Sequence, residues 1–113
     1  IGTSSLSAID GAARNEAYAA TKGAMISMTR GLAVELARYG ITANTIIPGW
    51  IETAMTAPRV GDDVFEDRVM KRVPVRRWGQ PEDFAGVAVY LASDASSYQT
   101  GEDFIIDGGY SRF

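Results

Sequence analysis

The longest helical pattern in the chain covers residues 16–38, a stretch without proline that is rich in alanine, leucine and methionine. Its apolar positions recur at spacings of three and four residues. They form two neighbouring rows, Met25, Met28, Leu32 and Leu36 in one and Ile26, Ala33 and Ala37 in the other. A helix that is apolar over so much of its circumference is expected to be buried on two sides, by its own sheet and by a partner. Asn15 is the predicted N-cap, and Gly40 stands where the helix should stop.

Three short segments have the composition of buried strands, and they cover residues 1–5, 41–47 and 104–106. The second is stopped by Pro48-Gly49 and the third by an Asp-Gly-Gly turn at 107–109. Between these two strands the pattern predicts a short charged helix over 62–72. It also predicts a helix over 81–93, with Pro81 as its first residue. Strands that alternate with helices in this way predict an α/β fold built on a parallel sheet.

The predicted sheet is small for a complete domain. Three strands are few for a doubly wound fold, and no G-x-G-x-x-G fingerprint of a nucleotide-binding half follows any of them. The chain also begins at Ile1, in what already has the pattern of a strand end. We therefore expect residues 1–113 to be part of something larger. When isolated they should be unstable and inactive, because the edge of the first strand would lack its neighbour.

Composition excludes several classes of function. Apolar residues make up 46% of the chain and charged residues 22%, as in ordinary globular proteins. The net charge is −3 and the eleven lysines and arginines are scattered, so neither a nucleic-acid surface nor an anionic-membrane surface is expected. No apolar run is long enough to span a bilayer, and no signal-peptide pattern is present. These features predict a cytoplasmic protein.

The chain has neither cysteine nor histidine. Their absence removes disulfides, thiolate chemistry, the commonest general base and the commonest metal ligand, so no metal site is expected. Acid–base chemistry near neutral pH must then come from tyrosine, lysine or carboxylate groups.

Tyr18 and Lys22 are four residues apart at the start of the long helix, which places them on one face. The Lys22 ammonium group and the positive end of the helix dipole both favour a phenolate that exchanges a proton with an alcohol or carbonyl oxygen. Ser5 follows the first strand, at the end of a parallel sheet where ligands bind, and its hydroxyl could hold a substrate oxygen against the phenol. Taken alone, these residues equally fit a buried tyrosine, a solvated lysine and a turn serine.

Four segments together carry a family resemblance. They are I-G-T-S-S at 1–5, Y-A-A-T-K at 18–22, N-T-I-I-P-G at 44–49 and I-D-G-G at 106–109. In their order and spacing they closely resemble the classical short-chain dehydrogenase/reductases, across essentially all 113 residues. The resemblance implies a Rossmann-like doubly wound parallel sheet. Residues 1–113 would be the C-terminal catalytic part of this single domain, with the N-terminal nucleotide-binding half missing.

The resemblance implies an NAD(P)-dependent oxidoreductase that moves a hydride between nicotinamide and an alcohol or carbonyl substrate. Tyr18 matches the family's catalytic acid/base. Lys22 matches the residue that binds the nicotinamide ribose and supports the phenolate. Ser5, rather than Ser4, matches the serine that orients the substrate.

Further cofactor contacts follow from the same resemblance. Pro48 and Gly49 would pack against the nicotinamide, Ile51 would contact the carboxamide through its backbone, and Thr53 would bond the carboxamide or a phosphate. On residue chemistry alone, Pro48-Gly49 also fits a plain strand-ending turn, and Thr53 fits an exposed threonine.

Residues 50–72 correspond to the family's mobile substrate lid. Trp50 and Met55 in this segment fit substrate contact and core packing equally well. Arg76 and Arg77, beyond it, are expected on a solvated surface.

The resemblance leaves open NAD versus NADP. It implies a small-molecule alcohol or ketone substrate, which could be a sugar or polyol, an acyl thioester, a steroid or a small ketone. It also supports a homodimer or homotetramer assembled through the long helix and through the helix over 81–93 with the final strand. Two alternatives remain: a non-catalytic binding or assembly subunit that retains the fold, and an inactive truncated fragment of the enzyme. The intact set of Ser5, Tyr18 and Lys22 argues against the first.

Overall fold

The computed structural model describes residues 1–112 and shows three parallel strands connected by helices. Along the chain the elements are β1 (Gly2–Thr3), α1 (Glu16–Leu36), β2 (Thr45–Pro48), α2 (Asp63–Val69), α3 (Ala85–Leu91) and β3 (Asp103–Ile106), with short 3-10 turns between them. Within the described residues, no helix combines the length and the apolar character needed to cross a bilayer. The predicted α/β class with a parallel sheet is confirmed.

The strand order is β1-β2-β3, and both neighbouring pairs are parallel. In the register, Thr3 lies beside Ile46, and Pro48 lies beside Ile106. Because all three strands run in the same direction, the residues that follow them lie together at the carboxyl-terminal end of the sheet. Open parallel sheets bind their ligands at this end.

The two ends of the long helix lie at the predicted residues, but only one of them has the predicted local structure. Gly40 is left-handed (φ 73°) and ends a last 3-10 turn after α1, as predicted. Asn15 occupies the N-cap position, as predicted, but its side chain makes no capping hydrogen bond. Instead, the Glu16 carboxylate accepts a bond from the Arg14 N–H at 2.9 Å. The pKa of Glu16 is lowered, mainly by a hydrogen bond from its own backbone N–H and to a smaller extent by this bond from Arg14.

The second strand is shorter than predicted, because it begins at Thr45 and not at residue 41. The preceding residues are tied to the loop before β3. The Asn44 side chain donates to the Gln99 carbonyl at 3.0 Å and accepts from the Glu102 N–H at 3.1 Å. The last predicted helix is also shorter: it begins as a 3-10 turn at Pro81 and ends as α3 at Leu91, before residue 93.

One side of α1 is buried and the other is exposed. Ile26 and Ala33 are buried, and Ile26 joins Leu6 and Ile47 in the core. A Cβ on Gly2 would lie 2.9 Å from the Thr29 hydroxyl, so glycine in β1 permits the close approach of α1. Three apolar residues of α1 are exposed, Met28 at 54%, Leu32 at 37% and Val34 at 84% of full exposure. Met28 and Leu32 share a face, and Val34 lies on a different side of the helix. Within this chain, the predicted burial of α1 is therefore met on one side.

Candidate active site

Two neighbouring serines follow β1 and have different environments. Ser4 is buried, and its Oγ donates to the Lys22 carbonyl at 2.8 Å, which fastens α1 to the end of the strand. Ser5 is half-buried with extended backbone (φ −161°, ψ 154°), and its Oγ accepts the Ser7 N–H at 3.2 Å. Extended backbone places successive side chains on opposite sides. The Ser5 hydroxyl keeps its proton for a further bond, and this geometry favours Ser5 over Ser4 as a ligand for substrate.

Tyr18 and Lys22 lie in the first turns of α1, and both are half-buried. The Lys22 Nζ is 5.6 Å from the centroid of the Tyr18 ring and donates to the Thr3 carbonyl at 3.0 Å. α1 also packs against the 3-10 turn Leu6–Ala8, which Ser5 caps. The start of α1 and the end of β1 therefore bring a phenol, an ammonium group and a hydroxyl to the same end of the sheet.

The turn after β2 is held against the end of β3. The Gly49 N–H donates to the Ile106 carbonyl at 2.9 Å. A Cβ on Gly49 would lie 2.6 Å from the Asp107 Cα, a distance that no side chain can accept. Pro48 closes β2, and Gly49 then allows the two strand ends to touch.

The turn after β3 is capped by its own carboxylate. Asp107 accepts the N–H groups of Gly109 and Ser111, each at 2.8 Å. Burial alone would raise the pKa of Asp107, but the bonds from Ser111 and Gly109 outweigh it, and the pKa is lowered. Gly108 and Gly109 have positive φ angles of 63° and 88°, which explains why glycine occupies both positions.

The backbone at Ile51 is braced by residues outside the predicted site. Ile51 forms an isolated parallel bridge with Gly79, and its carbonyl accepts the Thr56 Oγ1 at 2.6 Å. Thr53 is exposed; its N–H donates to the Thr56 Oγ1 at 2.9 Å, and the two hydroxyls are 3.3 Å apart. Thr56 is thus an organising residue that the sequence analysis missed. The available signal was a second threonine three residues after Thr53, a spacing typical of side-chain-to-backbone turns.

Trp50 packs into an aromatic cluster that we define as Trp50, Phe65, Trp78 and Tyr110. Its ring meets the other three edge-on, at centroid distances of 5.0, 6.2 and 6.4 Å respectively. Of the two alternatives left open by the sequence, packing therefore describes Trp50 in this structure. Met55 is 79% exposed and does not pack in the core.

Arg77 is exposed as expected, but it is also paired, which the sequence analysis missed. Its two terminal nitrogens donate to the two Asp83 oxygens at 2.7 and 2.8 Å. These bonds and the Gln80 N–H hold the pKa of Asp83 far below its usual range. The pair borders a cavity of about 230 Å³ that Trp50 and Ile51 also line. Ser5, Tyr18 and Lys22 do not line this cavity. The cavity is therefore separate from the place where these three side chains lie.

Residues 1–111 match the family model described as enoyl-(acyl carrier protein) reductase. The chain belongs to the short-chain dehydrogenase/reductase family. The match covers nearly the whole chain and confirms the resemblance carried by the four sequence motifs. The strands and helices are accordingly part of a Rossmann-like fold.

Three relatives illustrate the similarity. The chain is 47% identical over 92 residues to a 5-keto-D-gluconate 5-reductase of Escherichia coli K12, covering 81% of this chain and 36% of that protein. It superposes with a TM-score of 0.93 on a gluconate 5-dehydrogenase from Burkholderia cenocepacia J2315 in complex with NADP and tartrate, at 39% identity over 98% of this chain and 44% of that one. A 4-hydroxyisoleucine dehydrogenase complexed with NADH gives a TM-score of 0.94, at 31% identity over 98% and 46%. The chain thus spans less than half the length of each relative.

Proposed function

We propose that the whole protein is an NAD(P)-dependent oxidoreductase that interconverts an alcohol and a carbonyl compound through Ser5, Tyr18 and Lys22. The observation that carries the proposal is the Lys22 Nζ 5.6 Å from the Tyr18 ring, at the end of β1 where Ser5 follows. The family match and the nicotinamide complexes of two relatives support NAD or NADP as the cofactor.

The donor groups present fit a nicotinamide ribose. The Lys22 ammonium group has three N–H donors and uses one on the Thr3 carbonyl, so two are left for ribose hydroxyls. The turn at Pro48 and Gly49 and the backbone of Ile51 lie at the same edge of the sheet, where the nicotinamide ring would pack. Thr53 is exposed at the start of the following turn and remains a candidate donor to the carboxamide or a phosphate.

The proposed acid–base steps belong to the chain's own residues. In the oxidation direction, the Ser5 hydroxyl donates to the substrate oxygen and holds it toward the phenol. The Tyr18 phenolate then accepts the proton of the alcohol, and in reduction the neutral phenol returns it to the carbonyl oxygen. The Lys22 ammonium group stabilises the phenolate through its positive charge. The cofactor, when bound, supplies the hydride acceptor or donor.

We propose that the substrate is a carboxylic acid that carries one or more hydroxyl groups. The support comes from the relatives named for gluconate, ketogluconate and hydroxyisoleucine. The test is to incubate the full-length protein with NAD⁺ or NADP⁺ and one substrate at a time, and to follow the absorbance of reduced nicotinamide. Gluconate, a neutral polyol, an acyl thioester of a hydroxy acid and a hydroxysteroid cover the classes left open by the sequence. We expect turnover with the hydroxy acid. Turnover only with the steroid or thioester would contradict this substrate class, and no turnover with any substrate would favour a non-catalytic subunit.

The exposed side of α1 supports a homodimer or homotetramer of the whole protein. Met28 and Leu32, one turn apart on α1, form an exposed apolar pair that no described residue of this chain covers. We expect sedimentation of the full-length protein to give a dimer or tetramer at micromolar concentration. Changing Met28 and Leu32 together to glutamate should shift it toward monomer, whereas a monomeric wild-type protein would contradict the proposal.

A further inference from the structure

The positively charged residues of the lid (residues 50–72) have unequal surroundings. Lys71 pairs with Asp67, and the Arg72 Nη1 donates to the Tyr110 hydroxyl at 2.8 Å. The Arg59 guanidinium group lies over the Phe65 ring, 5.0 Å from its centroid. Within residues 1–112, no carboxylate lies at ion-pair distance from Arg59. Arg72 also lies over a ring but uses an N–H on Tyr110, and Arg68 contacts no ring, so among the described cations of the segment Arg59 alone lies over a ring with no hydrogen bond from its guanidinium group.

The carboxylates close to Arg59 in the chain are bound to other donors. Asp62 accepts the Phe65 N–H at 3.0 Å and so caps α2. Glu66 accepts hydrogen bonds from the Gly61 N–H at 2.8 Å and from the Trp78 Nε1–H at 3.0 Å. Both bonds lower the pKa of Glu66, and the bond from Gly61 has the larger effect. Both carboxylates are bound to N–H groups of the segment and of Trp78, and neither forms an ion pair with Arg59, whose N–H donors therefore remain available to a ligand.

Phe65 links Arg59 to Trp50, the residue that follows the Pro48-Gly49 turn. The ring that carries the Arg59 guanidinium group also packs edge-on against Trp50, at a centroid distance of 5.0 Å. Trp50 directly follows Gly49, at the end of β2. Stacking on an aromatic face restrains the plane of a guanidinium group and leaves the N–H donors along its edge free. A fixed guanidinium edge is the geometry that binds a carboxylate through two parallel hydrogen bonds.

We propose that Arg59 binds the carboxylate of the substrate and thereby selects hydroxy acids over neutral polyols. The proposal rests on the proposed function, whose substrate it specifies. Arg59 is a binding residue in this account, and the proton is still exchanged at Tyr18. Phe65 is a positioning residue that acts through Arg59.

The test measures binding and turnover separately in the full-length protein. Gluconate binding is titrated by tryptophan fluorescence in the presence of oxidised cofactor, with Trp50 and Trp78 as reporters, in the Tyr18→Phe background so that no reaction occurs. The added variants are Arg59→Gln, Arg59→Lys and, as a matched control in the same lid, Arg68→Gln. The ratio of kcat/KM for gluconate to that for the neutral polyol sorbitol is measured for the same variants with Tyr18 intact.

We expect Arg59→Gln to weaken gluconate binding by about 10–100-fold, the effect of losing hydrogen bonds to a charged group. The gluconate-to-sorbitol ratio should fall by a similar factor, Arg59→Lys should restore part of it, and Arg68→Gln should leave it unchanged. Equal losses for the acid and the polyol, or unchanged gluconate binding in Arg59→Gln, would overturn the proposal. So would a protein that does not bind gluconate. If Arg59→Gln weakens gluconate binding but the protein with Tyr18 intact does not turn gluconate over, the carboxylate site is supported and the proposed reaction is contradicted.

Discussion

Tyr18→Phe in the full-length protein should lower kcat for alcohol oxidation by about 10²–10⁴-fold, the range typical of a positioned acid or base. The substitution removes only the phenolic oxygen, so the packing of the half-buried ring in the first turn of α1 should change little. Residues 1–113 contain neither histidine nor cysteine, so none of them offers a group of those types to take over the proton. Cofactor binding should persist, because Lys22 and the turn after β2 remain.

The matched control is Tyr98→Phe, since the Tyr98 side chain is fully exposed. It should keep wild-type kcat and the wild-type melting temperature. If Tyr18→Phe retained near-normal kcat on the substrate, Tyr18 could not be the acid/base.

Lys22→Met should lower kcat/KM by about 10–100-fold and raise the KM for the cofactor, because hydrogen bonds to a charged donor are lost. The substitution keeps a long side chain in place but removes the ammonium group near Tyr18 and its bond to the Thr3 carbonyl. Steady-state kinetics at varied cofactor concentration separate the effect on binding from that on kcat.

The chain has one other lysine, and it provides the control. Lys71 is exposed and pairs with Asp67 on the protein surface, where an ion pair contributes little. Lys71→Met should therefore change neither parameter by more than about twofold. Equal effects of the two substitutions, or a wild-type KM for the cofactor in Lys22→Met, would remove Lys22 from the site.

Local patterns predicted the parts of the fold that depend on nearby residues. The long helix, its stop at Gly40 and the turn at Pro48-Gly49 are all set by residues a few positions apart. The start of β2 was misplaced because the segment before it is fixed by Asn44, whose partners Gln99 and Glu102 lie more than fifty residues away along the chain. A β-branched run cannot reveal that its neighbour is a loop instead of a strand.

The same distinction applies to the candidate site. Tyr18 and Lys22 could be proposed from the sequence because they are one helix turn apart, and Ser5 because it follows the first strand at the family's spacing from the tyrosine; their catalytic role stays a prediction. The aromatic cluster was missed because its members come from four separate segments that only folding brings together. The Arg77–Asp83 pair spans six residues across a turn, a spacing that no helix or strand periodicity indicates.

Hydride transfer itself is the most direct test of the central claim. The full-length protein is supplied with oxidised cofactor and a hydroxy acid carrying deuterium on the carbon that bears the reacting hydroxyl. The account predicts that mass spectrometry or proton NMR finds the deuterium at C4 of the reduced nicotinamide. The Tyr18→Phe variant should form the same labelled product at a rate about 10²–10⁴-fold lower. Deuterium released to water, or no reduced nicotinamide from the wild-type protein with any hydroxy acid or polyol, would contradict the account.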